Sequence, residues 1–193
     1  MSKRKDQEVE MKFKLLNACN IVERIAELGA EHVVTDEYQK DTYFAPQHRN
    51  FFAEDIVSEW LRLRETPTIQ QLNYKRWLPL GATIQTHCEE YETDITNVTA
   101  MEKIFEYMDF KKVICVEKTR NVWRYKNILV CIDMVTELGT FIELEYAEKI
   151  PEAEIPEITA IMEQFLLQEL KASVEPRDRR GYPYQMMALK GLL

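Results

Sequence analysis

Residues 7–16 read Gln7-Glu8-Val9-Glu10-Met11-Lys12-Phe13-Lys14-Leu15-Leu16. Glu8, Glu10 and Lys12 alternate with Val9, Met11 and Phe13. A period of two puts the first set on one face of a strand and the second set on the other. The spacing predicts a strand that is charged on one side and apolar on the other. The pattern recurs along the chain. Arg62 and Arg64 alternate with Leu61 and Leu63 in 57–65, and Glu90 and Glu92 share a face of 83–95. Lys118 and Arg120 fall on one face of 113–125, and Glu143 and Glu145 on one face of 139–147. Lys75 and Asp133 stand singly on 68–77 and 127–135.

A half-exposed antiparallel sheet also carries polar residues on its wet side. Such faces usually hold Thr, Ser, Lys and Gln with isolated charges, whereas this chain repeats E-x-E and R-x-R. If the sheet closes, its apolar face packs under helices and its charged face lines the interior. A barrel of eight strands is about wide enough to hold one small ligand. A wall of carboxylates repels itself unless cations intervene. Clustered Arg and Lys call for polyanionic oxygens. Carboxylates on one wall, bases on the others and a polyphosphate between them, bridged by a hard divalent ion, meet both demands.

The remaining segments fit such a barrel. Residues 20–28 have helical apolar spacing and stop at Gly29; 31–44 are extended; 78–81 form a turn. Residues 97–108 predict a helix capped by Asn97 or Thr99, and 156–171 an amphipathic helix with Pro156 in its first turn. Residues 182–193 predict a short last helix. No composition break marks a second domain, so the chain reads as one α+β domain over 1–193.

Composition narrows the function. The chain has 193 residues, 46% hydrophobic and 30% charged, so it can build a core. Its net charge of −8 argues against wholesale electrostatic binding to nucleic acid or acidic membranes. No apolar run approaches the roughly 18–20 residues that span a bilayer. With only five glycines and no GxxxxGK[ST] or GxGxxG run, a phosphate, if bound, has to be held by side chains. The four cysteines show no CxxC spacing, the three histidines form no HxxxH pair, and the N-terminus has no apolar core. Free thiols and a cytoplasmic location follow. Cys88 and His87 are adjacent on a strand and point apart, so they form no nucleophile pair. Trp60, Trp77 and Trp123 fill the core or cap a barrel mouth, with adenine stacking as the alternative. The Lys3-Arg4-Lys5 triplet reads as a solvated terminus.

The stripe Glu8-Val9-Glu10-Met11-Lys12 is an ExExK motif. It is followed in order by QKDTYF (39–44), LRLRE (61–65), NYKRW (73–77), CEEYETDI (88–95), EKTRNVW (117–123) and CIDMVTELGTFIELE (131–145). This succession resembles the CYTH superfamily, the triphosphate tunnel metalloenzymes. DTYF, YKRW and ELGTFIELE look most like its class IV adenylate cyclases (CyaB-type). The resemblance implies an eight-stranded antiparallel tunnel with peripheral helices. It implies that Glu8, Glu10, Glu143 and Glu145 bind Mg²⁺ or Mn²⁺, with Asp133 holding or orienting metal or water. Lys12, Arg62, Arg64, Lys75, Lys118 and Arg120 would hold the triphosphate, with Lys12, Lys75 and Asp133 as the catalytic set. Glu90 and Glu92 join the site if their strand's register turns them inward; a slip of one residue substitutes Glu89.

Two further segments bear on the reaction. Cyclase-type members carry a His-Phe pair before ExExK, where this chain has Lys3-Arg4-Lys5-Asp6-Gln7. Glu175-Pro176-Arg177 and Gly181-Tyr182-Pro183-Tyr184 resemble cyclase-type C-termini. The implied reaction is ATP to cyclic AMP and pyrophosphate, in the cytoplasm, with an inorganic, thiamine or nucleoside triphosphatase as the alternative. A non-catalytic polyphosphate- or nucleotide-binding module is the reading from another class, and the number of carboxylates argues against it. The implied partner is a nucleoside or inorganic triphosphate, not nucleic acid or membrane, and a homodimer is left open.

Overall fold

The alternating segment at the start of the chain forms two short strands, β1 (Gln7–Glu8) and β2 (Glu10–Lys14), divided at Val9. The strands that follow are β3 (Glu31–Pro46), β4 (Glu59–Glu65), β5 (Gln70–Leu78), β6 (His87–Asp94), β7 (Phe110–Tyr125), β8 (Ile128–Val135) and β9 (Gly139–Tyr146). This computed structural model describes residues 7–52 and 56–193. Lys3 to Asp6, including the basic triplet and most of the segment that replaces His-Phe, lie outside the described residues.

All the strands belong to one sheet, in the order β1-β6-β5-β4-β3-β7-β8-β9-β2, and every pairing is antiparallel. The two ends of that order are consecutive pieces of chain. β1 pairs with β6 and β2 pairs with β9, while the Val9 carbonyl accepts from the Tyr146 N–H at 2.9 Å. The sheet thereby closes on itself. Eight strands were expected; there are nine because one segment serves both edges and is interrupted where it changes partner.

Helix α1 (Ala18–Glu27) buries Ile21 and Ile25 and is followed by Gly29 at φ +73, a backbone position that favours glycine. α3 (Ile155–Gln164) continues as a wider helical turn through 165–169. Ile21, Ile25, Ile155 and Met162 pack over Val9, Met11, Val130, Ile142 and Leu144 on the outside of the barrel. α2 (Val98–Tyr107) lays Val98 and Phe105 over Phe44 and Leu63. Its cap is Asn97, whose side chain accepts from the Ala100 N–H at 2.9 Å.

The last helix, α4 (Gly181–Leu189), behaves differently. Tyr182, Met186 and Met187 pack with Tyr43, Trp60, Val116, Val135 and Phe141. Tyr43 and Trp60 share strand faces with Asp41, Arg62 and Arg64, so this cluster lies inside the barrel. α4 therefore fills one end of the interior. Among the described residues no helix is long and apolar enough to cross a membrane.

Candidate functional site

Strand register decides what meets inside. Lys75 stands opposite Glu90 and Asn73 opposite Glu92 across β5 and β6. The Asn73 side-chain amide donates to Glu90 and, at 2.9 Å, to Glu92. The open question of register is thus answered by Glu90 and Glu92, and not by Glu89. Arg64 faces Asp41, Arg120 faces Asp133, Lys12 faces Glu143 and Glu10 faces Glu145. The charged faces converge on a cavity of about 320 Å³. Glu8, Glu10, Lys12, Arg62, Arg64, Lys75, Glu90, Glu92, Lys118, Arg120, Glu143 and Glu145 all line it.

Acids and bases pair within the cavity. Lys75 Nζ lies 2.8 Å from both Glu10 and Glu90 and 3.6 Å from Glu8. Lys12 reaches Glu143 at 2.8 Å, and Arg120 reaches the same carboxylate at 3.0 Å. Arg62 spans Asp41 at 3.3 Å and Glu90 at 3.5 Å. Around the closed sheet the acid-bearing strands β9, β2, β1 and β6 are neighbours and the bases stand on β5, β4 and β7, so an acidic wall meets basic ones as expected, with Lys12 the one base among the acids. Ion pairs then join the walls.

Asp133 also departs from expectation, because it is fully buried and does not line the cavity. Arg120 donates two bonds to it at 2.6 Å, Lys118 one at 3.0 Å and the Tyr182 hydroxyl one at 2.8 Å. With both oxygens taken, Asp133 holds two bases in place beneath the surface and presents nothing to a metal or water. Burial pushes its carboxyl up, but Arg120 and Lys118 outweigh this and hold it well below the usual carboxylate range. Asp41 is its counterpart on β3: 1% exposed, it receives a two-pronged contact from Arg64 at 2.7 Å.

The acids divide by environment. Glu8, Glu10, Glu90 and Cys88 offer ligand atoms within 4.8 Å of one another. Burial and a hydrogen bond to Glu90 push Glu8 well above the usual carboxylate range. Glu90 is also buried, yet Lys75 and Arg62 hold it well below the usual range. Burial and the neighbouring Glu10 and Glu143 raise Glu145 to about 7. Burial pushes the Cys88 thiol far up, so it offers no thiolate. What remains is a crowded set of carboxylate oxygens, two of whose members, Glu8 and Glu145, are pushed toward the protonated form by burial and neighbouring carboxylates, a strain that a bound cation relieves. That donor chemistry fits a hard divalent ion. Glu143 is committed to Lys12 and Arg120, while Glu90 joins Glu8 and Glu10.

Burial opposes the charges on Lys12 and Lys75, but their carboxylate neighbours raise both above the ordinary lysine value. Lys118 is the exception, lowered to about 8 by burial and by Arg120. Trp77 and Trp60 line the cavity, whereas Trp123 stacks on His32 at 4.3 Å outside it. Asp41, Asn73, Gln85 and Arg179 are lining or supporting residues to which the sequence assigned no role, whereas Arg177 and Tyr182 entered only as parts of the cyclase-like C-terminal segments. Asp41 carried a faint signal, as an acid two residues before a buried aromatic within a β-rich run.

The CYTH-domain profile matches residues 6–182. A Methanocaldococcus jannaschii protein named as a candidate adenylate cyclase is 30% identical over 96% of this chain and 99% of its own length. The solved PH1819 protein of Pyrococcus horikoshii is 29% identical, with a TM-score of 0.74 over 95% of this chain and 99% of that one. A structure from Vibrio parahaemolyticus, described as a candidate adenylate cyclase, has a TM-score of 0.76 at 19% identity, over 95% and 99% of the two chains.

Proposed function

The chain belongs to the CYTH-domain family, and from that premise we propose that it converts ATP to cyclic AMP and pyrophosphate with Mg²⁺ or Mn²⁺. The observation that carries this reading is the meeting of six strand-borne bases and a carboxylate cluster in one cavity of about 320 Å³. A relative named as a candidate adenylate cyclase, aligned over almost its whole length, favours cyclisation over hydrolysis.

The roles follow from chemistry. Glu8, Glu10 and Glu90, with Glu145 beside them, would hold the cation, which supplies positive charge against the phosphate oxygens. Lys12, Arg62, Arg64, Lys75, Lys118 and Arg120 grip those oxygens. Lys12 and Lys75 stabilise the charge that gathers on departing pyrophosphate. Asp41 and Asp133 are positioning residues: they fix the bases before substrate arrives, so little reorganisation is needed. The ribose 3′-oxygen attacks the α-phosphorus, its proton leaves, and the bond to the β-phosphate oxygen breaks. Trp77 is the cavity surface on which the adenine would stack.

The test is chromatographic separation of the products of ATP with Mn²⁺. Cyclic AMP and pyrophosphate are expected. Glu10→Gln should lower turnover by roughly a hundredfold or more, while Glu23→Gln, on the exposed side of α1, leaves it unchanged. ADP and phosphate would move the reaction to hydrolysis by the same residues. No turnover of any triphosphate would reduce the protein to a binding module.

A further inference from the structure

Each strand-borne base of the cavity already has a carboxylate partner: Glu143 for Lys12, Asp41 for Arg62 and Arg64, Glu10 for Lys75, Asp133 for Lys118 and Arg120. The segment 175–180, between α3 and α4, breaks that rule. Arg177 and Arg179 line the same cavity. Among the described residues neither forms an ion pair. Arg177 donates to the Glu10 main-chain carbonyl at 3.0 Å, and Arg179 to that of Gln85 at 3.3 Å. A guanidinium carries five N–H donors, so a single carbonyl leaves most of them unused.

The intervening acid does not balance these charges. Asp178 receives both Arg180 contacts, each at 2.9 Å, and Arg180 is exposed. Two guanidiniums with no ion-pair partner among the described residues therefore sit on one wall with one residue between them. The first turn of α4 adds to them, because Gly181 and Tyr182 line the cavity at the positive end of that helix. Holding like charges together with only neutral acceptors is unfavourable until an anion arrives.

We propose that Arg177 and Arg179 form a second anion seat on the C-terminal wall, taking the oxygens of a linear triphosphate that the strand-borne bases do not reach. This rests on the triphosphate reading above. It makes chain length a property read by the tail: pyrophosphate can be satisfied by the strands alone, and the longer polyanion engages both walls. Binding also ties 175–189 to the barrel.

The test is calorimetric titration of inorganic tripolyphosphate and of pyrophosphate, with Mg²⁺ present, into the full chain and its Arg177→Gln, Arg179→Gln and Arg180→Gln variants. Loss of a charge-assisted contact should weaken tripolyphosphate binding about tenfold for each of the first two and pyrophosphate much less. Arg180→Gln should bind as the parent does. Arg179→Lys, which keeps the charge, should recover part of the loss, and ligand-free melting temperatures identify any variant that fails to fold. Parental tripolyphosphate affinity in both Arg177→Gln and Arg179→Gln, or equal weakening by Arg180→Gln, overturns the seat. A parent protein that prefers tripolyphosphate no more than monophosphate overturns the triphosphate reading itself, which is a separate result.

Discussion

Asp41 shows how much one buried carboxylate organises. It is 1% exposed beneath Arg62 and Arg64, because the register of β3 and β4 sets Asp41 opposite Arg64. Burial alone would raise its pKa, yet the two guanidiniums hold it well below the ordinary 3.8. An acid depressed in the fold contributes stability above its unfolded pKa, and that contribution is lost as pH falls through the folded value. Asp41→Asn should therefore cost about 3–5 kcal/mol at neutral pH, since it strands two half-buried arginines. The gap between parent and variant should narrow as the pH falls below about 4. Denaturant unfolding at pH 7 and near pH 3 measures both, and a gap that holds constant or widens in acid contradicts the account. The sequence made the bases legible, since Arg62, Arg64, Lys118 and Arg120 repeat with period two. It did not reveal Asp41, nor that Asp133 lies beneath the surface. Period gives the face a side chain points to, and depth behind that face depends on which strand lies next door.

At the scale of elements, the strands and outer helices were readable because each carries an apolar stripe of its own period. α4 was readable only as a helix. Tyr182, Pro183, Met186 and Met187 are all buried, and a helix apolar on every side gives no direction in which to place it. Its location came from the barrel, which leaves an apolar end, lined by Tyr43, Trp60 and Phe141, for the helix to fill. Tyr182 then serves two ends. Its ring lies 4.1 Å from the Lys12 ammonium and 5.2 Å from that of Lys118, while its hydroxyl reaches Asp133. Met186→Ala should open a cavity behind that ring and cost roughly 2–5 kcal/mol. Leu189→Ala, at a 57% exposed position of the same helix, should stay within about 0.5 kcal/mol. Equal midpoint shifts for the two in urea would mean that α4 rests on the surface and does not fill the barrel.

For the whole molecule, the net charge of −8 repels an anion at a distance, while the cavity concentrates bases where it must finally sit. Ligand that binds only the folded chain stabilises it by mass action. Tripolyphosphate at a hundredfold excess over its Kd should add about 2.7 kcal/mol, and salt should erode the gain. Thermal unfolding read against AMP decides it: equal shifts for the two would contradict a site built for three phosphates. The closed barrel was legible from the sequence as repeated two-faced strands, whereas the interruption at Val9 was not. The alternation runs through it unbroken, and only partners far along the chain require the break. That seam also orders events in time. Glu8 waits for Cys88, and Glu10 for Glu145. A nascent chain therefore makes this segment before either of its partners and completes its pairing only when β9 emerges. Closure at such long sequence separation is slow, and until β9 is made the growing sheet carries two bare edges on which neighbouring chains can assemble.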